Sequence, residues 1–269
     1  MRELVSEAIA EFSGWDGRFV TSVRALVLKP GLLTLEFLQG RRARYLSPLR
    51  LYLFASVAYF VVAAAAPNVR VAGLDDGSLK LVRSKDSLTR SRPERVAEAA
   101  REAVEDPDQL TDAKRDSALK DLERAPAPMR PALRQLVTDP KGFKHKIAQT
   151  MPKLLFVLLP IFAFIVSIFY RKRRYPEHLY FAIHLHTFLF VALTVIALSK
   201  FARGVLPIVL VPIAFAGLLS IPVYATIAFR RVYGGTLAGT LVKEIGIGFI
   251  YFVLSVTAML GLVYWVSIF

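Results

Sequence analysis

The sequence predicts an all-α fold, a polytopic bundle of about five transmembrane helices with amphipathic helices before the first span and a helical extracytoplasmic segment after it. Three observations predict it. Uncharged, apolar runs fill residues 154–170, 179–199, 204–229 and 245–269, and a hydrocarbon core about 30 Å thick takes about 20 helical residues at about 1.5 Å each. The runs are continuous, not alternating, which favours helices over a β-barrel. Hydrophobic residues make up 55% of a chain whose formal charge is +14, so the cations must sit in ends and loops.

Residues 1–45 read as cytoplasmic amphipathic or interfacial helices. Leu4, Ala8, Phe12, Phe19, Val23 and Leu26 recur at helical spacing with charged residues between them, interrupted around Gly14-Trp15-Asp16-Gly17. Lys29-Pro30-Gly31 turns the chain, and residues 32–39 form a second short helix with Gly40 at its C-cap. Such a pair either lies on the inner leaflet or caps the helix bundle.

The first transmembrane helix falls within residues 46–67, long enough if Arg50 snorkels to the headgroups. A cationic stretch, an apolar run and Ala63-Ala64-Ala65-Ala66 imitate a signal peptide, but 66 residues far exceed the usual length of about 15–30. The helix is therefore expected to stay uncleaved.

Residues 68–152 form the extracytoplasmic, partly helical segment. A small strand hairpin is expected over 69–82, helices over 94–106 and from Asp106-Pro107 to about residue 124, and a break at Ala125-Pro126-Ala127-Pro128. Asp139-Pro140 opens a last helix that runs into the second span. Residues 153–269 are the four-helix transmembrane region. Its third run carries Pro207, Pro212, Gly217 and Pro222, with two kinks expected in the interior, but no inverted repeat accompanies them.

Orientation follows from the short basic segments. Arg41, Arg42, Arg44 and Arg50 precede the first span, and residues 171–174 and Arg230, Arg231 and Lys243 fall on the same side. The positive-inside rule puts that side, with the N-terminus, in the cytoplasm and the C-terminus outside. Residues 68–152 carry 17 cations and 14 acids, but a long translocated segment is largely exempt from the rule.

Two constellations carry chemistry. Glu177, His178, Tyr180, His184 and His186 lie at the inner end of the third of these five spans. At about 100° per residue Glu177 and His184 share a face with Tyr180, while His178 and His186 sit on another. Glu244, near the inner end of the last span, is the remaining candidate. Polar groups at membrane depth act as a proton or ligand relay, or as interhelical hydrogen bonds that order the bundle. A metal site is not expected, because no His-x-x-x-His is present and the chain has no cysteine. The second constellation is Arg41, Arg42, Arg44 and Arg50 with interfacial Tyr45 and Tyr52, suited to anionic headgroups or to topology signalling alone.

Nucleic-acid binding is not expected, since the cations of the outer segment alternate with acids. No nucleophile elbow, phosphate loop, dinucleotide fingerprint or His-Glu-x-x-His occurs, so neither catalytic residues nor a cofactor are assigned, and an enzyme is the less favoured reading.

Two blocks carry a resemblance. Phe37-Leu38-Gln39-Gly40-Arg41-Arg42-Ala43-Arg44-Tyr45-Leu46-Ser47-Pro48-Leu49-Arg50-Leu51-Tyr52-Leu53-Phe54 and Tyr175-Pro176-Glu177-His178-Leu179-Tyr180-Phe181-Ala182-Ile183-His184 resemble the bacterial multi-pass membrane family catalogued as domain of unknown function 3667. Lys29-Pro30-Gly31 and Arg231-Val232-Tyr233-Gly234 fit it as well. The resemblance implies a cytoplasmic N-terminus and a bacterial inner membrane. Its usual zinc ribbon of Cys-x-x-Cys pairs has no counterpart in this cysteine-free chain, and it brings no catalytic residues.

The sequence therefore points to an integral membrane protein, non-enzymatic, binding lipid or a membrane-protein partner through the arginine collar and the polar inner rim. A transporter or proton-coupled permease using Glu177, His184 and Glu244 is the alternative, and an intramembrane enzyme acting on lipids a second.

Overall fold

The computed structural model describes residues 17–65, 116, 119–120, 122, 126–199 and 207–268. Among the described residues the fold is helical throughout, and five helices are long and apolar enough to cross a membrane. The chain is a multi-pass membrane protein. The helices are α1 (Arg18–Leu28), α2 (Leu32–Leu38), α3 (Pro48–Ala65), α4 (Arg130–Thr138), α5 (Pro140–Phe169), α6 (Tyr175–Ser199), α7 (Pro207–Tyr233) and α8 (Leu237–Ile268). The strand hairpin expected at 69–82 and the helix expected over 94–106 lie outside the described residues. So does most of the following one.

Helix ends exceed the apolar runs because local capping, not hydropathy, sets them. Asp139 Oδ1 accepts the Gly142 amide at 2.9 Å, so α5 opens at Pro140, fourteen residues before its apolar run begins. α8 likewise starts at Leu237, behind the Thr236 hydroxyl that accepts the Gly239 amide at 3.2 Å. Lys243 and Glu244 are thereby drawn inside a spanning helix.

The chain divides into two compact units, Met1–Asn68 with Leu158–Phe252, and Val69–Val157 with Val253–Phe269. In the first, α6 is the central helix, packed by α3, α7 and α2. Aromatic rings fill the α3–α6 seam, where Tyr52 and Tyr59 each lie 5.6 Å from Phe190. Between α6 and α7, Phe188 stacks on Tyr224 at 3.5 Å and Phe181 meets Phe229 at 4.6 Å. In the second unit, Phe143 of α5 packs with Leu262 and Val266 of α8, flanked by Ala132 and Leu136 of α4.

The pair α1 and α2 packs on α6 and α7. Leu26, Leu33 and Phe37 are buried, while Val20 and Leu28 on the opposite side are exposed. Lipid is as apolar as leucine, so hydrogen bonds and close packing must fix this position. Tyr224 donates to the Leu26 carbonyl at 2.8 Å and Arg231 to the Pro30 carbonyl at 2.6 Å. Ser22 accepts the Leu46 amide at 2.9 Å. Gly31, in the left-handed region at φ 76°, is so close to α7 that a Cβ there would stand 3.0 Å from the Ala228 carbonyl oxygen. The turn admits glycine on both counts.

α2 ends at Gly40, as its sequence predicts. The Arg41 amide bonds the Glu36 carbonyl at 2.9 Å and the Gly40 amide bonds that of Phe37 at 3.3 Å, with Gly40 at φ 79°. That is a Schellman ending. It delivers the first arginine of the collar directly over the buried Glu36 side chain.

Candidate functional site

The rim where α5 meets α6 and α7 meets α8 gathers the basic loops. Residues 171–174 turn the chain into α6, and the Arg174 amide approaches Glu177 Oε1 at 3.5 Å. Glu177 is the third residue of α6, where a carboxylate caps the free amides and complements the helix dipole. Its other oxygen takes Arg173 Nη1 at 2.9 Å, and Arg173 Nη2 reaches across to the Val232 carbonyl at 2.8 Å. Glu177 therefore shapes the end of a helix and steadies one arginine.

The three histidines of α6 face three different neighbours. His178 Nδ1 pairs with the Tyr233 hydroxyl of α7 at 2.8 Å, the two rings stacked 5.5 Å apart. His184 Nδ1 pairs with the Thr34 hydroxyl of α2 at 3.1 Å and its ring lies 5.5 Å from Phe37. His186 donates from Nδ1 to the Ala182 carbonyl at 2.9 Å, so its Nε2 accepts from the Tyr251 hydroxyl of α8, also at 2.9 Å. All three are buried, and each joins α6 to a separate helix through one hydroxyl.

The shared face expected of Glu177, Tyr180 and His184 divides in space. Tyr180 and His184 both meet Phe37, and the Arg42 guanidinium stands 5.7 Å from the Tyr180 ring, so the collar and the polar cluster touch there. Glu177 sits about 10 Å along the axis from His184, held by Arg173. Glu244 is elsewhere again, accepting the Thr226 hydroxyl of α7 at 2.6 Å. Among the described residues no three His, Cys, Asp or Glu side chains are placed to hold a metal ion.

Within the collar the four arginines are unequal. Arg41 grips Glu36 through Nη2 at 2.5 Å and Nε at 3.0 Å, a bidentate pair. That hydrogen bond holds the Glu36 carboxyl below the usual carboxylate range, against the opposing effect of burial. Arg42 donates to the Phe37 carbonyl at 3.4 Å. Arg44 and Arg50 are exposed.

A cavity of about 610 Å³ opens at the same rim, a feature that the sequence reading did not assemble. Its cationic lining is Arg171, Lys172, Arg173 and Lys243, and its aromatic wall is Tyr170 stacked on Tyr233 at 4.3 Å. Lys243 Nζ stands 4.4 Å from the Tyr170 ring centroid. The signal was present in the charges: residues 171–174 and Lys243 thread to one side of the membrane, and Gly234-Gly235 keeps the facing loop low.

Residues 16–60 match the model of a family described as Protein of unknown function (DUF3667). The matched stretch takes in α1, α2, the collar and most of α3, and it supports the resemblance drawn from residues 37–54. No curated protein and no solved structure matches the chain.

Proposed function

We propose, for a multi-pass membrane protein whose hairpin and collar match a family of unknown function, a non-enzymatic role in binding anionic lipid headgroups. The membrane is the bacterial inner membrane, the basic rim and N-terminus are cytoplasmic, and the C-terminus is extracytoplasmic. A membrane-protein partner on the same rim is compatible with this role. One observation carries the reading. Between residues 36 and 50 the one acid is Glu36, and it is spent on Arg41, which leaves Arg42, Arg44 and Arg50 exposed at the end of a spanning helix without a neighbouring carboxylate in that stretch. Each basic residue near an anionic leaflet contributes about 1 kcal/mol.

A permease or an intramembrane lipid enzyme draws less support, because Glu177, His184 and Glu244 are engaged with Arg173, Thr34 and Thr226 respectively. The test is the lipid retained by the purified chain. Changing Arg42, Arg44 and Arg50 together to Gln should lower the ratio of phosphatidylglycerol to phosphatidylethanolamine that co-purifies. An unchanged ratio, with topology intact, ends the proposal.

A further inference from the structure

We infer that the cavity between the α5–α6 and α7–α8 loops is a discrete binding site for one phosphate-type anion, supplied by a lipid headgroup or by free phosphate. This deepens the lipid-binding reading and rests on it for the lipid as source.

The charge inventory is one-sided. Arg171, Lys172, Arg173 and Lys243 line the cavity and, among the described residues, no carboxylate does. Of the nearby acids, Glu177 offsets Arg173 alone, and Glu244, although next to Lys243 in the chain, is turned to Thr226. About three cations therefore face an open volume uncompensated. Of these, Lys243 lies within a spanning helix, where a charged side chain is costly unless paired and marks a ligand or ion site.

The geometry suits a compact anion with several acceptor oxygens. Arg173 is fixed at both ends of its guanidinium, by Glu177 and by the Val232 carbonyl, so it forms a rigid wall. Lys243 is held over the Tyr170 ring, an arrangement that orients the ammonium. Lys172 is exposed in the loop and free to close over a guest. Opposite them, a Cβ placed on Gly234 would meet nothing within 4 Å, so the glycine loop leaves the mouth open. The volume falls within the range of about 300–1,000 Å³ typical of small-ligand sites, and basic pockets between spanning helices are a recurrent receptor for phosphorylated headgroups.

The experiment uses the full chain in a neutral detergent and native mass spectrometry, with phosphatidylglycerol, phosphatidylcholine and inorganic phosphate as probes. One phosphatidylglycerol should be retained per chain where phosphatidylcholine is not. Lys172→Gln with Lys243→Gln should weaken it about 30-fold, as two lost contributions of about 1 kcal/mol require. Lys172→Gln alone, a change at an exposed loop position, keeps the test independent of folding. Protection by inorganic phosphate as well as lipid assigns the site to the phosphate group itself, and protection by lipid alone assigns it to the headgroup with its chains. Equal retention by wild type and both variants, or no retention by wild type, overturns the site. The Arg42, Arg44 and Arg50 triple variant separates the two proposals: it should keep the single bound lipid while losing the bulk preference for anionic lipid.

Discussion

α6 and α8 are equally apolar over their best membrane-length windows, yet 56% of the α6 window is buried and 6% of the α8 window. Hydropathy, then, says which segments enter a membrane and nothing about which of them faces protein. The difference between the two lies in their polar side chains. α6 carries His178, His184, His186 and Thr187, all buried, and three of them are bonded to hydroxyls on other helices. α8 turns Val242, Ile245, Phe249 and Phe252 outward along one helical face, each at least 66% exposed. Imidazoles in an apolar run, present in α6 and absent from α8, are therefore the better guide to a bundle's centre.

The same substitution on the two helices breaks or keeps that contrast. Phe181→Ala removes a ring that is 1% exposed and packed on Phe229 and Tyr233, and should cost about 3–5 kcal/mol in thermal unfolding in detergent. Phe252→Ala, at 66% exposure, should stay within about 0.5 kcal/mol. A comparable loss at both sites would mean that another protein covers the outer face of α8.

Two glycines sharpen the account of what buries α6. Gly31→Ala and Gly40→Ala both place a side chain in the left-handed region, at about 1–2 kcal/mol each. Only at Gly31 does the new Cβ also strike α7. Amide exchange around His184 should therefore rise in Gly31→Ala and stay at the wild-type level in Gly40→Ala. Equal protection in both variants would show that the hairpin does not depend on that contact.

A smaller effect is expected at Thr34→Val, which leaves the shape of the α2–α6 contact and deletes the hydroxyl bonded to His184. Interhelical hydrogen bonds in membranes average about 0.6 kcal/mol and reach about 1.7. A melting temperature identical to wild type would place His184 among passive packing residues. Smallest of all is the pH response of Glu36. Its folded pKa lies below the ordinary value of 4.5, so the stabilisation is complete above that value and disappears as pH falls through the depressed one. The difference in melting temperature between wild type and Glu36→Gln should accordingly shrink on acidification below about pH 4. A difference that is constant with pH would sink the ion-pair explanation.

The five spans were legible because continuous apolar runs have no other use in a chain of this charge. The ends at Gly40 and Asp139-Pro140 were legible because capping chemistry is local. The partners of the histidines were not. Helical period gives the angle at which His178 or His184 leaves α6, but which helix stands at that angle depends on packing among segments up to 150 residues apart, as the Thr34–His184 pair is. The candidate site was half legible for the same reason. Arg42 and Tyr180 each stood out in the sequence, but their contact required α2 to dock on α6, and the rim cavity required residues 171–173 and 233–235 to be brought together with Lys243.

The docking of α1 and α2 also imposes an order on biogenesis. Leu26, Leu33 and Phe37 leave the ribosome early, whereas Tyr224, Ala228 and Arg231, which receive the hairpin, are made about 190 residues later. At about 5–20 residues per second the wait lasts some tens of seconds. Thr34 and Phe37 can settle on Tyr180 and His184 once α6 is made, but the contacts to Tyr224, Ala228 and Arg231 must still wait. The hairpin's seating is therefore completed only when α7 arrives, so closing its contacts with α7 is among the last acts of assembly.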